Sequence, residues 1–369
     1  MIRIDEIYNH TFWPWIKRNL PLTRMFFCDP FGRTDPDALF NFGHDVWEHN
    51  YIFFHDQEPI HLDIHQPLFA DVVRRNRDLN HGQGPDFAAI VTSERDSTFL
   101  DQVCSLYSWK PYYYFFHGWA ALDWYRGYDR TWLIPDPDQR VISRSFISPN
   151  RIVGGRRQHR IELMYLLLKM GIKNAHVSFP LTCPVENIPV WQAAGELKLR
   201  YPDIEHVLER ANFPWHFAGE TDHPMHSCWL SLFEPNAETL CHVVTETVCY
   251  GRRHHLTEKT FKPICLKMPF VMVSSAGSLA YLRSYGFETF GSIWDESYDL
   301  EIDDHRRLSK IADLLSWIDG LDHRALQDLY IKARPIIKHN HEHFYRGGFE
   351  NILWAELTEM LDLMAGECR

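Results

Sequence analysis

One stretch of the chain places an acid and a base side by side where a helix should begin. In "HHLTEKTFKP" (254–263), Thr257 has the position of an N-cap, and Glu258 and Lys259 follow it directly. The free backbone N–H groups and the dipole of a helix N-terminus favour an anion. Lys259 could therefore neutralise a diphosphate, while Glu258 could accept hydrogen bonds from ribose hydroxyls. The alternative is a capped surface helix with an exposed Glu-Lys pair.

Other charged residues surround this triplet along the chain. Glu246 ends the run "HVVTET", Arg252 lies in the loop before the triplet, and Lys262 follows it. Basic groups at these positions could balance the charge of a diphosphate, because opposite charges attract most strongly where water is excluded. We therefore count Arg252 and Lys262 among the candidate donor-binding residues.

A basic segment, "NRIVGGRRQHR" (150–160), precedes a predicted helix. Arg151 and Arg156 could grip a diphosphate there, because guanidinium groups bind phosphate oxygens in a bidentate manner. The alternative is a solvated basic helix start, although cations at that end oppose the helix dipole.

Two carboxylates stand close together in "FFHDQEP" (53–59), after a short apolar run. A carboxylate at such a point can deprotonate a hydroxyl, so Asp56 and Glu58 are candidate catalytic bases. His117, which follows a run of aromatic residues, could assist as an acid or base. The alternative is that Asp56 and Glu58 cap a helix or hold the turn.

Alternating apolar runs and helical patterns predict an α/β fold that positions these residues. Runs of this length, bounded by polar residues, are typical of strands buried on both faces of a parallel sheet. The predicted strands are 25–29, 51–59, 87–94, 112–119 and 130–135 in the first part, and 176–179, 242–248, 269–274 and 290–297 in the second. Apolar side chains at helical spacing predict helices at 68–79, 157–172 and 277–287, followed by long C-terminal helices that Pro335 and the pair Gly347-Gly348 interrupt.

The segment "HVVTETVCYGRRHHLTEKTFKPICLKMPFVMV" (242–273) resembles the second half of fucosyltransferase-like, GT-B-type glycosyltransferases. That motif has an acid after an apolar strand, a loop of roughly a dozen residues, Thr-Glu-Lys, a helix and a further strand. The resemblance implies that Lys259 contacts the donor diphosphate and that Glu246 and Glu258 contact the ribose and the donor sugar. "HDQEP" and "LTEKTFKP" are also similar to segments of phage and marine bacterial glycosyltransferases.

In the first half, "FFHDQEP" is similar to the turn that carries the catalytic base in that family. The resemblance implies this role for Glu58, with Asp56 as its substitute. It also implies two Rossmann-like lobes of GT-B type. A carboxylate base at this position suits an inverting transfer, and the absence of an HExxH motif and of a DxD pair at a clear strand end favours a metal-independent one. The sequence differs from the family pattern at Gln57-Glu58 and at "TET", so neither the donor sugar nor the anomeric outcome follows from it.

A Pro-rich acidic stretch, "IPDPDQR" (134–140), suggests where one lobe ends. We predict an acceptor-binding lobe at 1–148, a nucleotide-sugar-binding lobe at 149–335, and C-terminal helices at 336–369 that could cross back. The acceptor would be a cell-surface glycan or a hydroxymethylated base in phage DNA, as in enzymes of DNA modification. A catalytically inactive nucleotide-sugar-binding protein is the main alternative, and a metal-dependent hydrolase is a third.

Composition narrows these possibilities. With 38 Lys and Arg against 49 Asp and Glu, the formal net charge is −11, which disfavours general coating of nucleic acid. The eight cysteines contain no CxxC pair, which favours a reducing, cytoplasmic setting. No stretch reaches the roughly 20 apolar residues that span a bilayer. We expect no cofactor apart from the nucleoside diphosphate sugar as co-substrate, and no metal site.

Overall fold

Strands and helices alternate along the chain, and the fold is α/β, as the sequence predicts. The computed structural model describes residues 3–20, 22–28, 39–41, 49–127, 130–184, 187–212, 214–217 and 228–367. Within this part of the chain, no helix is both long enough and apolar enough to cross a bilayer.

Nine strands are described, and they belong to two sheets. The strands are β1 (Thr23–Cys28), β2 (Leu39–Asn41), β3 (Asn50–His55), β4 (Ala88–Thr92), β5 (Lys110–Tyr113), β6 (Arg144–Pro149), β7 (His176–Ser178), β8 (Thr239–Thr245) and β9 (Phe270–Val273).

The helices vary widely in length. They are α1 (Ile4–Glu6), α2 (Trp13–Asn19), α3 (Leu62–Leu79), α4 (Thr98–Tyr107), α5 (Phe116–Arg126), α6 (Gln158–Met170), α7 (Leu197–Arg200), α8 (Ile204–Arg210), α9 (Phe233–Ala237), α10 (Glu258–Cys265), α11 (Ser278–Ser284), α12 (Asp304–Asp319), α13 (His323–Tyr345) and α14 (Gly348–Glu367). A π-helical segment, Ile7–Phe12, joins α1 to α2, and 3-10 turns occur at Thr131–Leu133, Gly155–Arg157 and Ser297–Leu300.

Two compact units divide the chain. Unit 1 comprises Met1–Asp123, Arg252–His255 and Glu350–Arg369, and unit 2 comprises Trp124–Gly251 and Leu256–Phe349. The first change of unit therefore falls between residues 123 and 124, whereas the sequence led us to expect a boundary near residue 148. Most of α14 groups with unit 1, although it follows the end of unit 2 in the chain.

The sheet of unit 1 has the strand order β2-β1-β3-β4-β5. Strands β1, β3, β4 and β5 are parallel, and β2 pairs antiparallel with β1 at the edge. Phe26 lies beside Phe53, and Phe53 lies beside Ile90, with all three side chains fully buried. These apolar side chains form strands because both sheet faces remove them from water.

The sheet of unit 2 is entirely parallel, in the order β7-β6-β8-β9. From β6 the chain passes through α6 to β7 on one side, and later places β8 on the other side of β6. The strand order thus reverses between β6 and β8, which makes this pair the topological switch point of the sheet. All seven residues of β8 are buried, as expected for a central strand.

Several element predictions are wrong. Residues 130–135 form a 3-10 turn, not a strand, and Trp132 is 77% exposed. Residues 290–297 form turns because the Glu296 carboxylate accepts hydrogen bonds from the Phe290 N–H at 2.8 Å and the Thr289 hydroxyl at 2.7 Å. β5 ends at Tyr113, so the segment 112–119 is a strand only at its start.

Pro335 does not interrupt the C-terminal helices, because α13 continues through it. A proline inside a helix removes one hydrogen bond and costs about 3 kcal/mol. Tyr330, Ala333 and Ile337 are buried around it, and their packing keeps the helix continuous. The predicted break at Gly347 is confirmed, where φ is +89°.

Candidate functional site

The carboxyl ends of the parallel strands of unit 1 collect polar residues. Asp56 follows β3, Ser93 follows β4 and Tyr114 follows β5. Ser93 Oγ lies 2.5 Å from the carbonyl oxygen of Asp56 and 2.8 Å from that of Tyr114. The serine hydroxyl therefore holds the ends of three neighbouring strands in one arrangement.

Asp56 has an environment that suits proton transfer. Its side chain is 4% exposed, and Tyr8 Oη donates a hydrogen bond to its Oδ2 at 2.5 Å. Burial raises the pKa of Asp56 to about 7, while the hydrogen bond from Tyr8 acts in the opposite direction. A carboxyl group that titrates near neutral pH can accept a proton and release it again.

The other two predicted catalytic residues lie near Asp56 in the chain or in space. Glu58 is half-buried, two residues further along the same turn. His117 is buried, and its Nε2 lies 2.9 Å from the carbonyl oxygen of Gln57. Because a carbonyl oxygen only accepts, Nε2 must carry the proton of this hydrogen bond. The ring of His117 also packs edge-on against His255, at 5.3 Å between centroids.

A buried ion pair that the sequence analysis did not single out supports the same turn. Arg253 Nη1 lies 3.2 Å from Glu94 Oε1 and donates to the Ile60 carbonyl oxygen at 2.6 Å. The Ile60 N–H donates to the same carboxylate oxygen at 2.5 Å. Glu94 follows β4 and Ile60 ends the turn after β3, so this cluster fixes the backbone that carries Asp56 and Glu58.

In unit 2, Glu246 directs its carboxylate into the start of α10. The side chain is fully buried and accepts hydrogen bonds from Thr257 N at 3.1 Å, Thr257 Oγ1 at 2.6 Å and Thr260 Oγ1 at 2.6 Å. The position where we predicted a ligand anion thus holds an anion of the chain itself. Its charge is stabilised by these donors and by the helix dipole.

The side chains of Glu258 and Lys259 in the triplet form an ion pair with each other. Lys259 Nζ lies 2.9 Å from Glu258 Oε1 and 3.3 Å from Thr257 Oγ1. Glu258 is buried and Lys259 is half-buried, so the pair differs from an exposed surface pair. Lys262 follows one turn later and is half-buried. Burial lowers its pKa to about 8, while the charge of Glu258 acts in the opposite direction.

Arg160 and His159, which the sequence analysis did not single out, connect the two strands of the switch point. Arg160 is buried and donates to the carbonyl oxygens of Thr245 at 2.7 Å and Ile152 at 2.7 Å. His159 Nε2 lies 3.0 Å from the carbonyl oxygen of Glu246. Burial lowers the pKa of Arg160 to about 9. These contacts join the loop after β6 to the end of β8.

The predicted arginines belong to different units. Arg156 is exposed and Arg151 is half-buried, and both belong to the loop between β6 and α6. Arg252 is exposed and groups with unit 1, where its carbonyl oxygen accepts from Thr98 N at 3.3 Å. Glu246, Glu258, Lys259 and Lys262 lie together at the start of α10 in unit 2.

The start of α6 differs from those of four other helices. At the starts of α4, α10, α12 and α13, a backbone N–H donates a hydrogen bond to the side chain of the N-cap residue, which is Ser97, Thr257, Asp303 and Asp322 respectively. At α6 the N-cap is Arg157, whose side chain makes no cap hydrogen bond, and the first turn has no acidic residue. The helix dipole there has no negative partner within the first turn.

Some contacts of these residues can be predicted from the local sequence, and others cannot. Thr257 is the N-cap of α10, as predicted. Tyr8 is 48 residues from Asp56 and Arg253 is 159 residues from Glu94, so no local pattern links them.

Among the described residues, no group of His, Cys, Asp and Glu is placed to hold a metal ion. No protein-family model matches the chain, and a search of the curated proteins finds no similar sequence.

Proposed function

We propose that the protein is a glycosyltransferase that moves a sugar from a nucleoside diphosphate sugar to an acceptor hydroxyl. Unit 2 would bind the donor and unit 1 would supply the catalytic base. The observation that carries the proposal is the loop at residues 154–157, which leads from β6 into α6 at the topological switch point.

Three features of this loop favour binding of a diphosphate. Open α/β sheets bind ligands outside the carboxyl ends of their strands at the switch point. Gly155 has a φ of +59°, a conformation that glycine adopts without strain and that lets a ligand approach the backbone. Finally, Arg156 and Arg157 directly precede α6, and the first turn of α6 has no acidic side chain, so both charge and dipole favour an anion.

The chemistry assigned to unit 1 is proton removal from the acceptor. The acceptor hydroxyl oxygen forms a bond to the anomeric carbon, its proton passes to the carboxylate of Asp56, and the diphosphate leaves with the electron pair of the broken bond. Of the two candidate bases, Asp56 is favoured over Glu58 because burial brings its pKa to about 7. Most of the rate enhancement would come from stabilising the charge of the leaving diphosphate.

The acceptor is a glycan hydroxyl in this proposal. A hydroxymethylated base in DNA is the second choice, because a net charge of −11 opposes a polyanion unless a basic face compensates. The rival function is a nucleotide-sugar-binding protein without turnover. It would show the donor binding described next but no release of nucleoside diphosphate when acceptors are added.

Donor binding can be tested by thermal unfolding with UDP, GDP, CMP and dTDP. A nucleotide present at 100 times its dissociation constant should stabilise the protein by about 2.7 kcal/mol. We expect one base to be preferred and the shift to fall in Arg156→Ala. Arg324→Ala removes an exposed arginine at the start of α13 and should leave the shift unchanged.

Lys259→Ala tests the role that the resemblance implies for α10 and should also reduce the shift. If no nucleotide stabilises the wild-type protein, the transferase proposal is wrong. A shift of equal size in the wild type and in Arg156→Ala would contradict the assignment of the diphosphate to the β6–α6 loop.

A further inference from the structure

The surroundings of Asp56 contain two phenols that the proposed reaction has not yet used. Tyr8 lies in the π-helical segment Ile7–Phe12, and Tyr114 follows β5. Their rings are 6.0 Å apart in an edge-on arrangement. π-Helical turns are rare and are frequently found at functional sites.

Tyr8 is placed to control the carboxyl group. Its Oη donates to Asp56 Oδ2 at 2.5 Å, and its ring packs edge-on against Phe54 at 6.0 Å and stacks on Phe12 at 5.8 Å. Such packing fixes the phenol in one orientation. A hydrogen bond to a carboxylate favours the charged form of the acid, so Tyr8 limits the rise of the Asp56 pKa that burial causes.

Tyr114 has a different relation to Asp56. Its side chain is 1% exposed, and its Oη has no hydrogen-bond partner among the residues that the structure describes. A buried hydroxyl without a partner costs roughly 1–3 kcal/mol, so an unpaired phenol in a native structure calls for an explanation. The charge of Asp56 raises the pKa of Tyr114 together with burial, so the two groups lie within electrostatic range and the phenol stays protonated.

We propose that Tyr8 is a positioning residue that holds Asp56 for proton transfer, and that Tyr114 Oη donates a hydrogen bond to the acceptor oxygen that Asp56 deprotonates. This inference rests on the proposed transferase function. The ligand it implies is a hydroxyl group carried by an acceptor that can enter an aromatic environment. Neither tyrosine belongs to the motifs that carry the family resemblance.

Other groups near Asp56 and Tyr8 come from α1, β3 and the end of β4. Burial and the charge of Asp56 raise the pKa of Tyr8, and Asp5, on the short helix α1, adds a smaller effect in the same direction. His55 precedes Asp56 in β3, and its pKa is lowered well below the usual range by burial and by the charge of His65, so it is neutral at pH 7. Ser93, at the end of β4, does not titrate. The pKa of Asp56 is therefore set by burial, which raises it, and by the hydrogen bond from Tyr8 and a backbone hydrogen bond, which lower it.

The test uses the full chain with 13C-labelled aspartate, and Asp56→Asn identifies the Asp56 carboxyl signal. In the wild type the signal should titrate near pH 7. In Tyr8→Phe, which keeps the ring and removes the hydroxyl, the midpoint should move up by about one pH unit. Tyr114→Phe is the matched control and should leave the midpoint in place. No shift in Tyr8→Phe would overturn the role of Tyr8, and a wild-type midpoint near 4 would overturn the view that burial keeps Asp56 protonated up to about pH 7.

Once a donor and an acceptor are known, steady-state kinetics can distinguish the roles of Tyr8 and Tyr114. Tyr8→Phe should move the acidic limb of the pH–rate profile upward by the same amount. Tyr114→Phe should raise the KM for the acceptor about tenfold and leave that limb unchanged. An unchanged acceptor KM in Tyr114→Phe would overturn its role.

The titration needs no substrate, so its outcome is independent of the transferase proposal. A failed nucleotide screen with a shifted Asp56 midpoint would reject the transferase function and retain the Tyr8–Asp56 coupling. A successful screen with an unshifted midpoint would reject only the inference about Tyr8.

Discussion

At the scale of single residues, Asp56 and Glu58 show how burial separates two similar carboxylates. They are two positions apart in the same turn, yet Asp56 is buried beside a phenol and Glu58 is half-buried. Desolvation disfavours the charged form, so it raises the pKa of the buried carboxyl. The family resemblance implies Glu58 as the base, whereas the surroundings of Asp56 favour Asp56.

The first prediction compares the two carboxylates. Asp56→Asn should lower kcat at least about 100-fold, the lower end of what a general base contributes, while Glu58→Gln should stay within a few-fold of the wild type. Because the base must be deprotonated, wild-type activity should rise with pH through about 7, the pKa of Asp56. Steady-state kinetics from pH 5 to 9 measures both effects. A large loss in Glu58→Gln with an active Asp56→Asn would assign the base to Glu58.

At the scale of elements, α10 shows how a short helix is held by long-range contacts. It has eight residues and contains Pro263, and isolated helices of this length do not form in water. The Glu246 carboxylate and the buried side chains Phe261 and Ile264 supply what the local sequence lacks. The triplet is therefore positioned by Glu246 at the end of β8.

The second prediction concerns this cap. Thr257→Val removes a hydroxyl that caps α10 and donates to Glu246, and should lower the free energy of unfolding by about 1–3 kcal/mol. Thr358→Val, at an exposed position of α14, removes a hydroxyl that donates only to the backbone at Trp354 and should change it by no more than about 0.5 kcal/mol. Urea unfolding of both variants makes the comparison. Equal effects would mean that the Glu246 cluster does not stabilise the fold.

At the scale of the whole molecule, buried histidines make stability depend on pH. Burial lowers the pKa of His65 to about 4 and that of His242 to about 3, and it lowers those of His55 and His159 well below 6.5. Between pH 6.5 and 4 the unfolded chain protonates these residues and the folded chain does not, so stability falls as pH falls. Asp56 acts in the opposite direction, because the folded state holds its proton up to about pH 7.

The third prediction concerns the direction in which stability changes with pH. Each histidine that stays neutral when folded should cost about 2 kcal/mol of stability between pH 6.5 and pH 5. Urea unfolding at pH 7 and pH 5 should therefore show a lower free energy of unfolding at pH 5. In His55→Phe the loss should be smaller, because the variant lacks one of the groups that only the unfolded chain protonates. Neither ring nitrogen of His55 has a hydrogen-bond partner among the described residues, so the substitution removes no hydrogen bond seen there. A variant with the same pH dependence as the wild type would show that His55 is protonated in the folded state.

Much of the fold follows from local pattern. The apolar runs predict β1, β3, β4, β8 and β9, the spacing in α3 and α6 predicts amphipathic helices, and Thr257 marks the start of α10. These predictions succeed because the side-chain periods of strands and helices and the chemistry of caps are properties of neighbouring residues. Local pattern fails at residues 130–135 and at Pro335, where solvent exposure in one case and packing in the other decides the conformation.

In the candidate site, too, some features follow from the local sequence and others depend on tertiary contacts. The sequence alone determined which residues can do chemistry, namely the carboxylates after β3, the basic loop before α6 and the triplet at α10, because residue type and order are enough for that. Only the tertiary structure decided which of these residues form hydrogen bonds or ion pairs within the chain, and which of them have shifted pKa values. Tyr8 reaches Asp56 across 48 residues, and Glu246 fills the start of α10. Burial and hydrogen bonding control protonation, and both depend on contacts between segments that are distant in the chain.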